Sequence, residues 1–133
     1  MIMKKNYSVV SKRKSTVATG IIKEGNGAIY VNSKLLSSFS NKLFKLIAME
    51  SLAISGGLDK KYNIYIKVSG GGEMSRSQAI RAVIAKALSH KEKSLRKKFL
   101  EYDRMLLVDD KRKTEPQKPY RSAARARKQT SYR

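Results

Sequence analysis

The first regular hydrophobic pattern in the chain predicts two short β-strands. In residues 15–23, Val17, Thr19 and Ile21 alternate with their neighbours at the two-residue period of a strand. Gly25-Asn26-Gly27 follows, and residues 28–31 return to β-type residues. Because Asn-Gly tolerates the positive φ of a tight turn, the two segments are expected to pair as a hairpin.

The pattern changes to a helical period after Ser40. The apolar residues then fall on one helical stripe, which consists of Leu43, Phe44, Ile47, Ala48 and Leu52. Gly56 and Gly57 are expected to end this helix, since glycine readily adopts the left-handed conformation of a helix terminus.

A second strand and a long helix follow. Residues 61–68 alternate strictly, with one face formed by Tyr62, Ile64, Ile66 and Val68. After three glycines at 70–72, Ser75 and Gln78 have the spacing of a capping box, which predicts a helix start at Ser75. Its expected buried stripe is Ala79, Ile80, Val83, Ile84, Ala87 and Leu88.

The last elements before the C-terminus are shorter. Residues 94–102 predict a helix with Leu95, Phe99 and Tyr102 on one side, and residues 105–108 are an apolar run that suggests a strand. The resulting order is hairpin, helix, strand, helix, helix and strand. It predicts a two-layer sandwich of the α+β class, with the helices on one face of a small sheet.

The final 23 residues, 111–133, have a different composition. Nine are Lys or Arg and one is acidic, so the segment cannot bury enough apolar surface to order alone and is expected to extend along a polyanion. Removing this tail from the 30 basic and 10 acidic residues leaves 21 and 9, a net charge of +12 for residues 1–110. Both parts of the chain therefore point to nucleic acid.

Length and composition limit the remaining possibilities. Residues 1–110 suit one globular domain, of which 1–10 are expected to be flexible, and 111–133 form the basic tail. The chain has no cysteine, so disulfides and thiolate metal sites are excluded. The N-terminus lacks the apolar run of a signal peptide, and no segment is long enough to span a bilayer, which predicts a soluble intracellular protein.

Two features of the domain suggest phosphate binding. A glycine-rich turn before a helix can cradle a phosphate, but neither P-loop nor GxGxxG spacing is present. A nucleotide pocket, a turn approached by RNA backbone and a purely structural turn therefore stay open. Lys12, Arg13 and Lys14 precede the first predicted strand, where phosphate contact and a solvated charge run are both possible.

The acidic residues and the single histidine do not form a catalytic pattern. Asp109 and Asp110 are expected to balance Arg104, Lys111 and Arg112, and His90 is expected to face solvent. In the tail, Tyr120 and Tyr132 alternate with arginines, a combination that can stack on unpaired bases while the charges hold phosphates. Pro116 and Pro119 favour an extended tail that threads through folded RNA.

Five blocks in the same order resemble the universal family of small-subunit ribosomal protein nine. They are RKSTVA at 13–18, GGG at 70–72 with QAIR at 78–81 and IAKAL at 84–88, YDRMLLVD at 102–109, RKTEP at 112–116, and ARKQTSYR at 126–133. The match covers nearly the whole chain. The Thr114-Glu115-Pro116 segment and the Ser-Tyr-Arg ending resemble the archaeal and eukaryotic branch, whereas bacterial members commonly end in Ser-Lys-Arg.

The resemblance implies a fold like the second domain of ribosomal protein five and a structural role in the ribosome, without catalysis, cofactor, metal, membrane or small-molecule substrate. The implied partners are small-subunit ribosomal RNA, tRNA in the peptidyl site and neighbouring proteins of the subunit head. The residues expected to bind RNA are Lys12, Arg13, Lys14, Gly70, Gly71, Gly72, Arg76, Arg81, Arg104, Lys111, Arg112, Lys113, Lys118, Arg121 and Arg125. Those expected to face tRNA are Arg127, Lys128, Tyr132 and Arg133.

Two other classes of function share some of these features. A protein that compacts DNA also needs high positive charge, but it would favour a helix-turn-helix or a lysine-rich repeat, and neither is present. A small kinase-like enzyme can use the same sandwich, but it would need a carboxylate or lysine partner near Gly70 and would give the basic tail no purpose.

Overall fold

The computed structural model describes residues 6–116 and 119, and five of its segments form one mixed β-sheet. The strands are β1 (Tyr7–Arg13), β2 (Thr16–Glu24), β3 (Ile29–Val31), β4 (Lys34–Leu35) and β5 (Tyr62–Ser69). Their order across the sheet is β1-β2-β5-β3-β4. β3 runs parallel to β5, and the other neighbouring strands are antiparallel.

Within residues 6–116, four α-helices lie on one side of this sheet. They are α1 (Lys42–Ala48), α2 (Glu50–Ser55), α3 (Glu73–Lys91) and α4 (Lys93–Tyr102). α3 packs directly on β1, β2 and β5, and the other three helices pack against α3. Short 3₁₀ turns span Leu36–Ser38, Leu58–Lys61 and Arg104–Leu106. The result is the two-layer α+β sandwich that the sequence predicts.

The hydrophobic core lies between the sheet and α3. Ile64, Ile66 and Val68 are buried on β5, which confirms the predicted alternation. All six residues of the predicted stripe on α3 are buried, and Leu95 and Phe99 of α4 are fully buried beside them. Burying a large apolar side chain contributes about 1.5–3 kcal/mol, so this layer dominates the stability of the domain.

The predicted hairpin between the first two strand segments is wrong. β2 pairs with β1 and β5, and β3 pairs with β5 and β4, so β5 lies between the two predicted partners. The turn at Gly25-Asn26-Gly27 does exist, and Gly27 has a φ of +90°. Asn63 of β5 accepts hydrogen bonds from the Asn26 and Ala28 amides, which directs the chain past β5. The residues of the turn correctly predicted that the chain reverses direction, but they did not predict which strands pair.

Several boundaries also differ from the predicted ones. The segment after Ser40 forms two helices that meet at Met49, and Leu43 of the predicted stripe is exposed. α3 starts at Glu73 with Gly72 as its N-cap, so the capping box at Ser75 is not formed. Residues 105–108 contain no strand, because Asp103 caps the 3₁₀ turn Arg104–Leu106 by accepting from the Met105 amide. Tyr102 is exposed, unlike Leu95 and Phe99, with which it was predicted to share one side of a helix. β1 was not predicted, and it includes residues 7–10 of the segment that was expected to be flexible.

Candidate nucleic-acid interface

The turn between β1 and β2 packs against the glycine turn that follows β5. The Thr16 hydroxyl donates to the Gly70 carbonyl at 3.2 Å. Gly70 and Gly71 have φ angles of +76° and +65°. A Cβ at Gly70 would lie 2.6 Å from the Ser15 carbonyl oxygen, and one at Gly71 would overlap the Thr16 hydroxyl. Contact with the β1–β2 turn therefore explains why both positions need glycine.

This packing brings several of the predicted RNA-binding residues together. Lys12 and Lys14 are exposed on or beside the β1–β2 turn. Arg76, in the first turn of α3, donates through Nε to the Gly70 carbonyl at 3.0 Å. Gly72 is the N-cap of α3, and a Cβ at this position would meet no atom within 4 Å. We call this region, formed by residues 12–15, 70–72 and 76, the basic end of the domain.

Arg13 connects the basic end to the start of the tail. Its Nε donates to Gln78 Oε1 at 2.7 Å, and its Nη1 lies 3.3 Å from the Asp110 carboxylate. Arg112 contacts the same carboxylate through Nη2 at 2.7 Å. The hydrogen bonds from Arg112, supported by the charge of Arg13, hold the pKa of Asp110 far below its usual value of 3.8. Asp110 is therefore ionised at neutral pH and shared by two arginines.

Asp109, the preceding residue, makes a second connection between the start of the tail and the domain. Its carboxylate accepts from Lys86 Nζ at 2.6 Å and from the Ser11 hydroxyl at 2.9 Å. Lys86 also donates to the Val10 carbonyl at 3.0 Å. Partial burial alone would raise the pKa of Asp109, but the hydrogen bonds from Lys86 and Ser11 outweigh it and lower that pKa.

These contacts form one unit, which we call the tail clasp. It consists of Ser11, Arg13, Lys86, Asp109 and Asp110. The clasp attaches residues 109–112 to both β1 and α3, so the exposed cations Lys111, Arg112 and Lys113 begin beside the basic end. Ser11 and Asp109 are 98 positions apart, and no local pattern in the sequence indicates Lys86 or Ser11 as part of this site.

Arg81 takes part in a separate ion-pair cluster. Its guanidinium contacts Glu50 at 2.6 Å and Asp103 at 3.0 Å, which joins α2, α3 and the N-cap of the 3₁₀ turn Arg104–Leu106. Burial tends to lower the pKa of Arg81, but the two carboxylates raise it, so its charge is fixed. Arg104 follows Asp103 and is exposed. RNA contact by Arg81 or Arg104 stays a prediction.

The interpretation of the acidic residues is confirmed in part. Asp110 balances Arg112 as expected, whereas Lys86 of α3 balances Asp109, and no contact joins either aspartate to Arg104 or Lys111 among the interactions described. His90 is exposed as predicted and stacks on Tyr7 with ring centroids 3.4 Å apart. Within residues 6–116, no group of three or more His, Cys, Asp or Glu side chains could hold a metal ion.

The remaining predicted residues lie outside the described part of the chain. They are Lys118, Arg121, Arg125, Arg127, Lys128, Tyr132 and Arg133. No helix in the described part is long and apolar enough to cross a membrane.

The fold and the site define a small, strongly basic α+β protein in which several acidic side chains hold cations of the same chain in place. The profile of the family described as Ribosomal protein S9/S16 matches residues 11–133. "Small ribosomal subunit protein uS9" of Methanococcus maripaludis is 40% identical over 128 residues, which cover 93% of this chain and 96% of the relative. The protein of the same name from Methanococcus vannielii is 38% identical over the same shares.

The chain therefore belongs to the ribosomal protein S9/S16 family, as its sequence blocks predicted. It is a structural protein of the small ribosomal subunit and not an enzyme, and its location is the ribosome. The similarity to the Methanococcus proteins agrees with the archaeal and eukaryotic type expected from Thr114-Glu115-Pro116 and the Ser-Tyr-Arg ending, and it favours the archaeal branch.

Proposed function

We propose that the domain binds ribosomal RNA in the head of the small subunit through its basic end, and that the tail extends from there toward tRNA in the peptidyl site. The observation that carries this proposal is the tail clasp. It anchors Asp109 and Asp110 beside Lys12 and Lys14, so Lys111, Arg112 and Lys113 start next to the cations of the domain.

The charge of the chain suits phosphate contacts that fix position without reading base sequence. The net charge is +20, and each phosphate that a Lys or Arg neutralises releases condensed counterions. Specificity then comes from the three-dimensional shape of the RNA. The clasp supports this mode of binding, because a tail with a fixed origin enters folded RNA at a defined point.

The far end of the tail has a separate role in the proposal. Arg133 is the tRNA-facing cation, and Arg127 and Lys128 assist it. Tyr132 stands where bacterial members commonly have lysine, so it offers a ring and a hydroxyl in place of a charge. Neighbouring proteins of the subunit head are further partners. These assignments come from the resemblance to the family at matching positions.

A truncation after Asp110 tests the contribution of the tail. If the tail touches about 6 to 8 phosphates, its part of the salt dependence is roughly −4 to −6 in log affinity per log salt concentration. Binding to a transcript of the head domain of small-subunit ribosomal RNA should therefore become much less salt-dependent in the truncated protein. Circular dichroism checks that the domain is still folded.

An unchanged salt slope would contradict the role of the tail. Duplex DNA of the same length serves as the competitor in the same assay. Equal affinity of the full chain for this DNA and for the ribosomal RNA transcript would favour a DNA-compacting protein instead.

A further inference from the structure

Within residues 6–116, no helix or loop covers the face of the sheet opposite the helices, and this face carries an apolar patch. The strand register places Ile21, Tyr65 and Tyr30 in one row across β2, β5 and β3, and Val10 lies in the next row on β1. Val10 and Tyr65 are 46% and 41% exposed. Large contiguous apolar patches on soluble proteins usually mark a binding surface. We call this surface the open face.

Two tyrosines form the centre of the open face. The rings of Tyr30 and Tyr65 are stacked, with centroids 5.3 Å apart and planes 6° from parallel. Lys23 Nζ lies 5.5 Å from the centroid of the Tyr65 ring. Beside the tyrosines is a groove of about 900 Å³, and its other walls include Thr19, Asn32 and Lys67. The volume of this groove is within the range that accommodates a group the size of a nucleotide.

The charges on the open face favour an anionic partner. The strand residues that point away from the helices include Lys12, Lys23 and Lys67. Among the described strand residues on this face there is no Asp or Glu, since Glu24 lies opposite Tyr62 and points to the helix side. An apolar segment of another protein would need only the apolar patch, whereas an RNA strand uses the patch and the cations together.

Lys12 also connects the open face with the basic end. It lies at the end of β1, opposite Val17, and is part of both surfaces. A strand of RNA bound at the basic end can therefore continue along the sheet toward Lys67 and the tyrosines without leaving the protein.

We propose that the open face binds unpaired nucleotides of ribosomal RNA, with bases against Tyr30, Tyr65 and Ile21 and phosphates on Lys67 and Lys23. Single-stranded RNA is the expected form, because the bases of an A-form duplex are already stacked and cannot reach a flat sheet. This inference rests on the proposed RNA-binding function and adds a second, aromatic contact surface to it.

The test uses the full-length chain with Tyr30 and Tyr65 both changed to leucine, which keeps the surface apolar and removes the rings. The probe is a fluorescein-labelled single-stranded RNA of about twelve nucleotides with mixed sequence. Stacking on aromatic rings is worth enough per base that affinity should fall about tenfold or more. The slope of affinity against salt should not change, because no charge is removed.

Tyr7→Leu is the matched control. Tyr7 has the same 41% exposure as Tyr65, but it lies on the helix side of the sheet and stacks on His90. The affinity of the Tyr7→Leu variant for the probe should equal that of the unmodified chain. Lys67→Gln should weaken binding less than the double variant and lower the salt slope by about 0.7.

A second measurement does not depend on the folding of the variants. The unmodified chain is cross-linked to the same RNA carrying 4-thiouridine, and the attached peptides are identified by mass spectrometry. Cross-links at Tyr30 or Tyr65 are expected. Cross-links confined to the basic end and the tail would overturn the proposal.

Other outcomes separate this inference from the proposed function. If the double variant binds RNA normally while truncation after Asp110 still lowers the salt dependence, the open face is not an RNA site and the function of the tail stands. If the double variant binds RNA normally but no longer enters small subunits, a protein occupies the face and the proposal fails. If the unmodified chain shows no salt-dependent RNA binding, both fail.

Discussion

Arg13 Nη1 lies 3.3 Å from the carboxylate of Asp110, so the last residue of the first strand is joined to the residue that precedes the basic tail. The same arginine is held by Gln78 of α3. In a chain with a net charge of +20, an acid beside the proposed RNA-binding surface would by charge alone oppose binding. Its position indicates that it orients the tail.

The first prediction concerns Asp110, whose negative charge should oppose RNA binding and whose contacts with two arginines should position the tail. Asp110→Asn removes one negative charge, so a purely electrostatic effect would strengthen RNA binding. If the clasp positions the tail, the loss of the Arg13 and Arg112 contacts should instead weaken it, by about threefold, which corresponds to less than 1 kcal/mol. The measurement is the dissociation constant for the ribosomal RNA transcript at fixed salt.

Glu101→Gln is the matched control for this change. Glu101 is an exposed acid on α4, so its removal should leave affinity unchanged or raise it slightly. If both variants raised affinity equally, the positioning role of Asp110 would be wrong.

The second prediction concerns Lys86. Lys86→Met keeps the length of the side chain but leaves the half-buried Asp109 carboxylate without its cation. The free energy of unfolding should fall by about 1–2 kcal/mol, because a partly buried charge then lacks its partner. Urea unfolding followed by circular dichroism measures this loss. Lys98→Met, an exposed site on α4, should change stability by less than about 0.5 kcal/mol.

The third prediction is a pH dependence of the same contact. The pKa of Asp109 is lower in the folded chain than its usual 3.8, so the folded state favours the ionised form. Its stabilisation is therefore complete above the unfolded pKa and is lost as the pH falls through the folded pKa. Between about pH 5 and pH 2, the unmodified chain should lose more stability than Asp109→Asn, which cannot ionise.

The measurement for this prediction is a series of urea unfolding curves across that pH range. The difference in stability between the two proteins should be largest at the upper end of the range and shrink toward the lower end. Glu101→Gln should follow the unmodified chain throughout. If the free energies of unfolding of Asp109→Asn and of the unmodified chain changed in parallel with pH, Asp109 would not contribute in this way.

The sequence predicted those elements whose pattern follows directly from burial on one face. β5 meets the core along one side only, so Ile64, Ile66 and Val68 repeat at the two-residue period of a strand. α3 packs on the sheet and on the other three helices, so its buried positions include the predicted stripe and extend beyond it. β1 gave no such signal, because Val10 points to the open face while Ser11 and Arg13 point to the helix side. An edge strand whose inward positions hold the polar groups of the clasp does not alternate.

Prediction of the candidate site from the sequence is limited in the same way, because some of its residues belong to no local pattern. Residues in runs of charge or glycine, such as Lys12 and Gly70, could be proposed as site residues from the sequence alone. Lys86 and Ser11 were not, because their role depends on contact with Asp109 across the fold. Gln78 was assigned to a capping box, yet it binds Arg13, since α3 begins at Glu73 and Gln78 is therefore no longer near the cap.

The fourth prediction compares two glycines with nearly the same φ angle. Gly56 and Gly71 have φ angles of +66° and +65°, so alanine at either site incurs the same cost for a left-handed residue, about 1 kcal/mol. A Cβ at Gly56 meets nothing within 4 Å, whereas one at Gly71 overlaps the Thr16 hydroxyl. Gly71→Ala should therefore lower the free energy of unfolding by about 2–4 kcal/mol and Gly56→Ala by about 1 kcal/mol. Urea unfolding of both variants checks this difference, and equal losses would mean that the glycine turn does not pack against the β1–β2 turn in solution.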